Sequence, residues 1–133
     1  MTKRMKGLPI LLLLLLTACQ SMSDVQPGDG RRATITGRSY AEVWQAAVKV
    51  ADEHFETRER DEARGIIPAE RPLTAWGTGA WVGIYVTPPA AGAAAYTVEV
   101  VSRKKLLTTV TEQGWEKKVL RDLQDVLAGR RLR

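Results

Sequence analysis

Apolar and polar positions recur along this chain with two different periods, and the change of period marks its elements. Tyr40, Val43, Trp44, Ala47, Val48, Ala51 and Phe55 return every three or four residues, the spacing of a helix with one buried face. Just before them, Ser39-Tyr40-Ala41-Glu42 puts Ser at the N-cap and Glu three residues on, a capping box for the first turn. A helix is therefore predicted from about Tyr40 to about Phe55. Trp115, Val119, Leu120, Leu123, Val126 and Leu127 repeat the same spacing and predict a second helix, from about Trp115 to Ala128. Gly129 stands where a C′ glycine belongs. Arg130, Arg131 and Arg133 follow it, where positive charge suits a helix C-terminus.

Between these helices the period drops to two. In Ala80–Thr87, Val82, Ile84 and Val86 fall on one side and Trp81, Tyr85 and Thr87 on the other. Pro88-Pro89 ends that strand, and the small residues from Ala90 to Ala95 make a hairpin loop. In the partner strand, Tyr96–Ser102, Tyr96, Val98 and Val100 share a face while Thr97 and Glu99 point away. Gly65–Glu70 reads as an earlier strand, joined through the turn residues Asp61–Gly65 to the charged stretch Glu56–Glu62. Pro68 has no N–H for a ladder, so this strand is expected to be short, bulged or at an edge. Ala33–Thr36 is a short first strand, Leu106–Val110 a possible last one, and Arg71–Gly79 a loop. The order specifies an α+β fold: a single antiparallel sheet of three to five strands with two helices packed on one face. With Val82, Ile84 and Val86 toward the helices, Trp81 and Tyr85 face the open side. Together with Trp76 they form an expected exposed aromatic stripe, the candidate partner-binding surface.

The first eighteen residues have another character. Lys3, Arg4 and Lys6 precede an apolar run from Leu8 to Leu16, broken only by Pro9. The run is too short to span a bilayer, which takes ~20 residues, and it reads as a secretory signal. It ends in Leu16-Thr17-Ala18-Cys19, and Cys19 is the one cysteine of the chain. This ending resembles the lipobox of bacterial lipoproteins. The resemblance implies cleavage before Cys19 and acyl chains on that residue, which then holds the protein on a membrane. Since each buried CH₂ contributes ~0.8 kcal/mol, two or three chains suffice as an anchor. Gln20 is similar to the default of enteric-type sorting, which sends a lipoprotein to the outer membrane, here with the domain facing the periplasm. The expected organisation is a cleaved signal at 1–18, a lipidated N-terminus and flexible tether at 19–32, and one α+β domain at 33–133.

Charge changes meaning once the signal is set aside. The whole chain carries a formal +5, but three of its twenty Lys and Arg leave with residues 1–18 while all fifteen acids stay. The remainder is nearly neutral, which removes the argument for a nucleic-acid partner. With Cys19 acylated no thiol is left for a disulfide, so packing alone must stabilise the domain.

One further resemblance rests on the core residues. Val43-Trp44 with Ala47, Gly65-x-Ile67-x-Ala69, Val82-x-Ile84-x-Val86-x-Pro88, Tyr96-x-Val98-x-Val100, and Trp115 with Leu120 and Leu123 resemble a group of small Gram-negative lipoproteins of unknown function. Their layout is similar to the helix-grip domains of the C lipoprotein of the β-barrel assembly machinery. The resemblance covers roughly 33–128 and implies a fold and an accessory role in the envelope with a protein partner. Helix-grip folds also hold apolar ligands between sheet and helix, so a small-ligand carrier is the alternative. A solid interface of Trp44, Phe55, Trp115 and Leu123 would argue against it.

Catalytic chemistry finds little footing. His54 is the sole histidine and is expected to be a surface imidazole at the end of the first helix. The serines sit in the tether, at a cap and at a strand end, and no Gly-x-Ser-x-Gly elbow surrounds any of them. Asp52, Glu53, Glu56, Glu59, Asp61 and Glu62 are dense, but Arg58, Arg60 and Arg64 interleave with them, as on a solvated hairpin. Gly77-Thr78-Gly79 precedes a strand rather than a helix and lacks the third glycine of a dinucleotide loop. No metal, cofactor or enzymatic activity is expected. A basic patch, Arg103-Lys104-Lys105 with Lys117, Lys118 and Arg121, remains as a second surface for anionic partners.

Overall fold

The computed structural model describes residues 22, 25–72, 79–105 and 114–132. Cys19, Gln20, Trp76 and the possible strand Leu106–Val110 lie outside the described residues. The elements are β1 (Arg31–Thr36), α1 (Tyr40–His54), β2 (Glu56–Thr57), β3 (Ile66–Arg71), β4 (Ala80–Thr87), β5 (Ala95–Lys104) and α2 (Glu116–Leu127). The strands form one five-stranded sheet in the order β1-β5-β4-β3-β2, every neighbouring pair antiparallel. Both helices pack on one face, giving the α+β architecture that the two periods specify.

The local signals act as their chemistry requires. At α1 the capping box is complete: the Glu42 N–H donates to Ser39 Oγ (3.1 Å), and the Ser39 N–H donates to Glu42 Oε1 (3.3 Å). At the end of α2, Gly129 adopts φ +74°. Its N–H donates to Val126 O (3.0 Å) and the Arg130 N–H to Asp125 O (2.8 Å). This is a Schellman pair, which satisfies carbonyls that a helix end otherwise leaves open. Gly65 also needs its positive φ of 70°, and a Cβ there would lie 2.3 Å from Val86 O.

Pro68 lies in β3, whose outer neighbour β2 is only two residues long. The Pro68 carbonyl accepts from Arg58 N (2.9 Å), on the β2 side. N–H and C=O of one strand residue point the same way, so the missing donor falls on that nearly open side and spares the ladder with β4. β3 is therefore an inner strand of six residues rather than the short, bulged or edge strand expected, and it tolerates Pro68 because its outer side is nearly unpaired.

The core lies between sheet and helices. Val82, Ile84 and Val86 of β4, Tyr96, Val98 and Val100 of β5, and Ile67 and Ala69 of β3 meet Val43, Trp44, Ala47, Val50 and Ala51 of α1 and Val119 and Leu123 of α2. Phe55 and Trp115 close one end, ring centroids 5.2 Å apart and edge-on. Trp44 and Trp115, one from each helical region, are both 5 % exposed.

The folded body begins earlier than the tether reading allows. Val25 is 4 % exposed, β1 starts at Arg31, and residues 25–30 lie against the sheet. The expected flexible tether of 19–32 is thus corrected over its second half. A polar, Gly-rich composition hides this packing because the bonds that hold the segment come mostly from its backbone.

Candidate functional site

The face of the sheet turned away from the helices carries the first candidate site. Strand alternation brings Arg32 of β1, Glu99 and Val101 of β5, and Tyr85, Gly83 and Trp81 of β4 onto it, in register. Glu99 is an acid inside an apolar strand and is only 6 % exposed. Its carboxylate accepts from the Gly28 N–H with both oxygens (2.8 and 3.0 Å), from the Gly30 N–H (3.2 Å) and from Arg32 Nε (3.3 Å). These bonds clasp the Val25–Gly30 strap across β4 and β5. The approach leaves no room for side chains: a Cβ on Gly30 would sit 2.0 Å from Val100 O, and one on Gly83 would sit 2.7 Å from Val25 Cγ1.

Tyr85 lies under this strap. Its hydroxyl donates to Val25 O (3.2 Å). Burial, and then the charge of Glu99, push its phenol above the usual range. Trp81 lies further along the same face, half-buried, with Lys105 Nζ 4.3 Å and Arg58 Cζ 5.5 Å from its ring centroid. The open aromatic stripe is therefore corrected. Tyr85 is covered by Val25, and Trp81 stands apart among cations. The sequence signals were Val25, apolar in a polar stretch, and Glu99, a lone acid in an apolar one.

The second cluster joins the two helices. His54 Nε2 lies 2.6 Å from Asp122 Oδ2, with side-chain exposures of 12 % and 2 %. The surface position expected of His54 is corrected: it is one helical turn beyond Val50 and Ala51 and shares their buried face. Asp122 likewise occupies a core position of α2, beside Leu123 and three residues after Val119. Lys118 Nζ (3.5 Å) and Arg121 Nε (3.7 Å) also approach its carboxylate. The imidazole packs near Trp115 and Phe55, and Arg71 stacks over Trp115 at 4.7 Å and donates to His54 O (3.4 Å). Rings and cations surround this pair, an arrangement that fastens helices together.

The remaining charges pair as a solvated surface would. Asp52 receives Thr57 Oγ1 and Arg60 Nη2. Burial opposes its ionisation, but these bonds and the Arg60 charge outweigh it and leave the carboxyl below its usual range. Within the basic patch, Arg103 lies 3.6 Å from Asp29 and Lys105 2.7 Å from Glu70. A groove of about 590 Å³ between β1 and α2 is more one-sided: Arg31, Arg32, Lys117 and Arg121 line it with Ala33, Leu120 and Gln124. That lining can pair with acidic or phosphate-bearing groups. Among the described residues no cluster of three or more His, Cys, Asp or Glu is placed to hold a metal ion. No model of a known family matches the chain, and comparison with curated proteins gives no match either.

Proposed function

We propose that this is a non-catalytic lipoprotein of the cell envelope, anchored by acyl chains on Cys19 to the outer membrane and facing the periplasm. Its folded domain acts there as a binding or accessory module for an envelope partner. The observation that carries the reading is the Glu99 clasp. It fastens the chain to the body nine residues after Cys19, at Gly28, and again at Gly30, so a lipid on that cysteine would hold the whole domain close to a membrane. The buried titratable groups support the non-catalytic part, because Glu99 secures the strap and the His54–Asp122 pair joins the helices. The carrier alternative draws no support from the sheet–helix interface, where Trp44, Phe55, Trp115 and Leu123 are all buried.

Metabolic labelling with a fatty-acid analogue tests the anchor. Label and membrane association are expected in the native chain and absent in Cys19→Ser. Label that persists in Cys19→Ser removes the lipoprotein reading. Crosslinking in intact cells, followed by identification of the captured protein, tests the partner.

A further inference from the structure

The chain that leads to the body arrives over the middle of the outer sheet face, and its length limits where that face can point. Val25 lies over Gly83, in the centre of β4, itself the third of five strands. The Val25 N–H donates to Met22 O (3.1 Å), a turn contact that holds the two Cα atoms within ~7 Å. From Met22 back to Cys19 is three residues, at most ~11 Å when fully extended. Cys19 therefore lies within ~18 Å of Val25 whatever path the intervening residues take. Turning the helices toward a lipid surface would require this stretch to pass two strand spacings, ~10 Å. It would then have to descend past a helix layer ~10–12 Å thick, with the depth of the sheet in addition. The reach is too short.

We infer that the outer face of the sheet is docked on the lipid surface that holds the Cys19 acyl chains, with both helices directed away from it. This rests on the lipoprotein reading. The face has the chemistry for that neighbour. Trp81 with Lys105 and Arg58 against its ring combines the aromatic and cationic groups suited to headgroup level. The carboxylates above the middle of the sheet are already engaged: Glu99 with Arg32, Glu70 with Lys105 and Asp29 with Arg103. Glu56, which is exposed, lies out at the margin on β2. A soluble partner then meets the helix side and the basic groove beside β1, not Trp81 and Tyr85.

The test uses the full acylated chain, its acylation verified by mass spectrometry, in vesicles of phosphatidylcholine containing phosphatidylglycerol. An environment-sensitive fluorophore is attached through a single introduced cysteine: Thr34→Cys or Thr87→Cys on the outer face, Gln45→Cys or Gln124→Cys on the helices. All four positions are exposed. Brominated lipid is expected to quench the outer-face probes several-fold more than the helix probes. A Gly-Ser linker inserted after Gln20, which lengthens the reach and leaves the body unaltered, is expected to erase that difference. Equal quenching in the native chain or stronger quenching on the helices overturns the inference; a preference that survives the linker assigns the docking to Trp81, Lys105 and Arg58 of the face itself rather than to the short reach. A purified chain without acyl groups overturns the lipoprotein reading, and this inference with it.

Discussion

Glu99→Ala is expected to free the strap and to lower stability by about 2–4 kcal/mol. The carboxylate receives two backbone N–H groups and one guanidinium, and hydrogen bonds to a charged group contribute ~1.5–3 kcal/mol each. Arg32 contributes at the low end, since its side chain is 58 % exposed and water screens the pair. The two amides avoid being stranded because the strap can lift into water. Lifting also recovers backbone entropy of ~1–2 kcal/mol per residue freed, and that recovery limits the loss. Val25→Ala alone is expected to cost up to about 2–3 kcal/mol of apolar burial. The double variant should cost little more than Glu99→Ala, because once the strap is off, Val25 is already in water. Urea denaturation of the four proteins gives the cycle. Glu99→Gln, which keeps an acceptor oxygen, should fall between native and Ala. A neutral Glu99→Ala, or strictly additive losses, would refute the clasp.

Asp122→Ala should destabilise by about 2–3 kcal/mol, because it leaves a nearly buried imidazole without its hydrogen-bond partner; thermal melting measures it, and an unchanged midpoint would mean the pair does not join the helices. Trp81→Ala should cost only about 1–2 kcal/mol, chiefly its cation–π contacts; a loss as large as that of a core tryptophan in the same melting assay would show that it is packed like one. Burial raises the phenol of Tyr40, with the charges of Glu62 and Asp61 adding to it, and burial with Glu99 raises that of Tyr85. Folded-state values above the unfolded one mean that this stability is fully present below pH ~10 and is lost as pH rises through the folded values. Alkaline denaturation curves of Tyr40→Phe and Tyr85→Phe should accordingly be flatter than that of the native chain, and unchanged slopes would count against the linkage.

Much of the fold is legible along the chain because its signals are local. Ser39 with Glu42, the alternation Val82-Ile84-Val86 against Trp81-Tyr85, and Gly129 after α2 each act within a few residues. The sheet and helices follow from burying the stripes those signals define. The candidate site is less legible, and its components show why. Val25 and Glu99 are seventy-four residues apart, and neither has a periodic partner. His54 sits on the buried face of α1 and Asp122 on that of α2. Each departs from the apolar pattern of its own helix, so each reads alone as a surface residue. What identifies them is complementarity across elements, an acid and an imidazole both falling at core positions, and no single-helix pattern contains that.

The strap is fastened by polar groups, and beside a bilayer that choice has a physical consequence. A strap held only by apolar contacts relies on water to drive it onto the sheet. At headgroup level, where less water surrounds the strap, that drive weakens. The bonds from Gly28 and Gly30 to Glu99 behave in the opposite way. Moving two amides and a carboxylate apart into an apolar medium leaves each of them unpaired, at a cost of several kcal/mol. A clasp made of backbone N–H groups and a buried carboxylate is thus strengthened by the low-dielectric surroundings that would loosen an apolar strap. In this arrangement Val25 fills the notch above Gly83, while Glu99 sets the register and keeps it. On this reasoning Glu99→Ala should disturb the strap more in lipid vesicles than in detergent-free water, and Val25→Ala less. Hydrogen exchange of the Gly28 and Gly30 amides in the two settings measures both. An identical response to Glu99→Ala in lipid and in water would remove the argument.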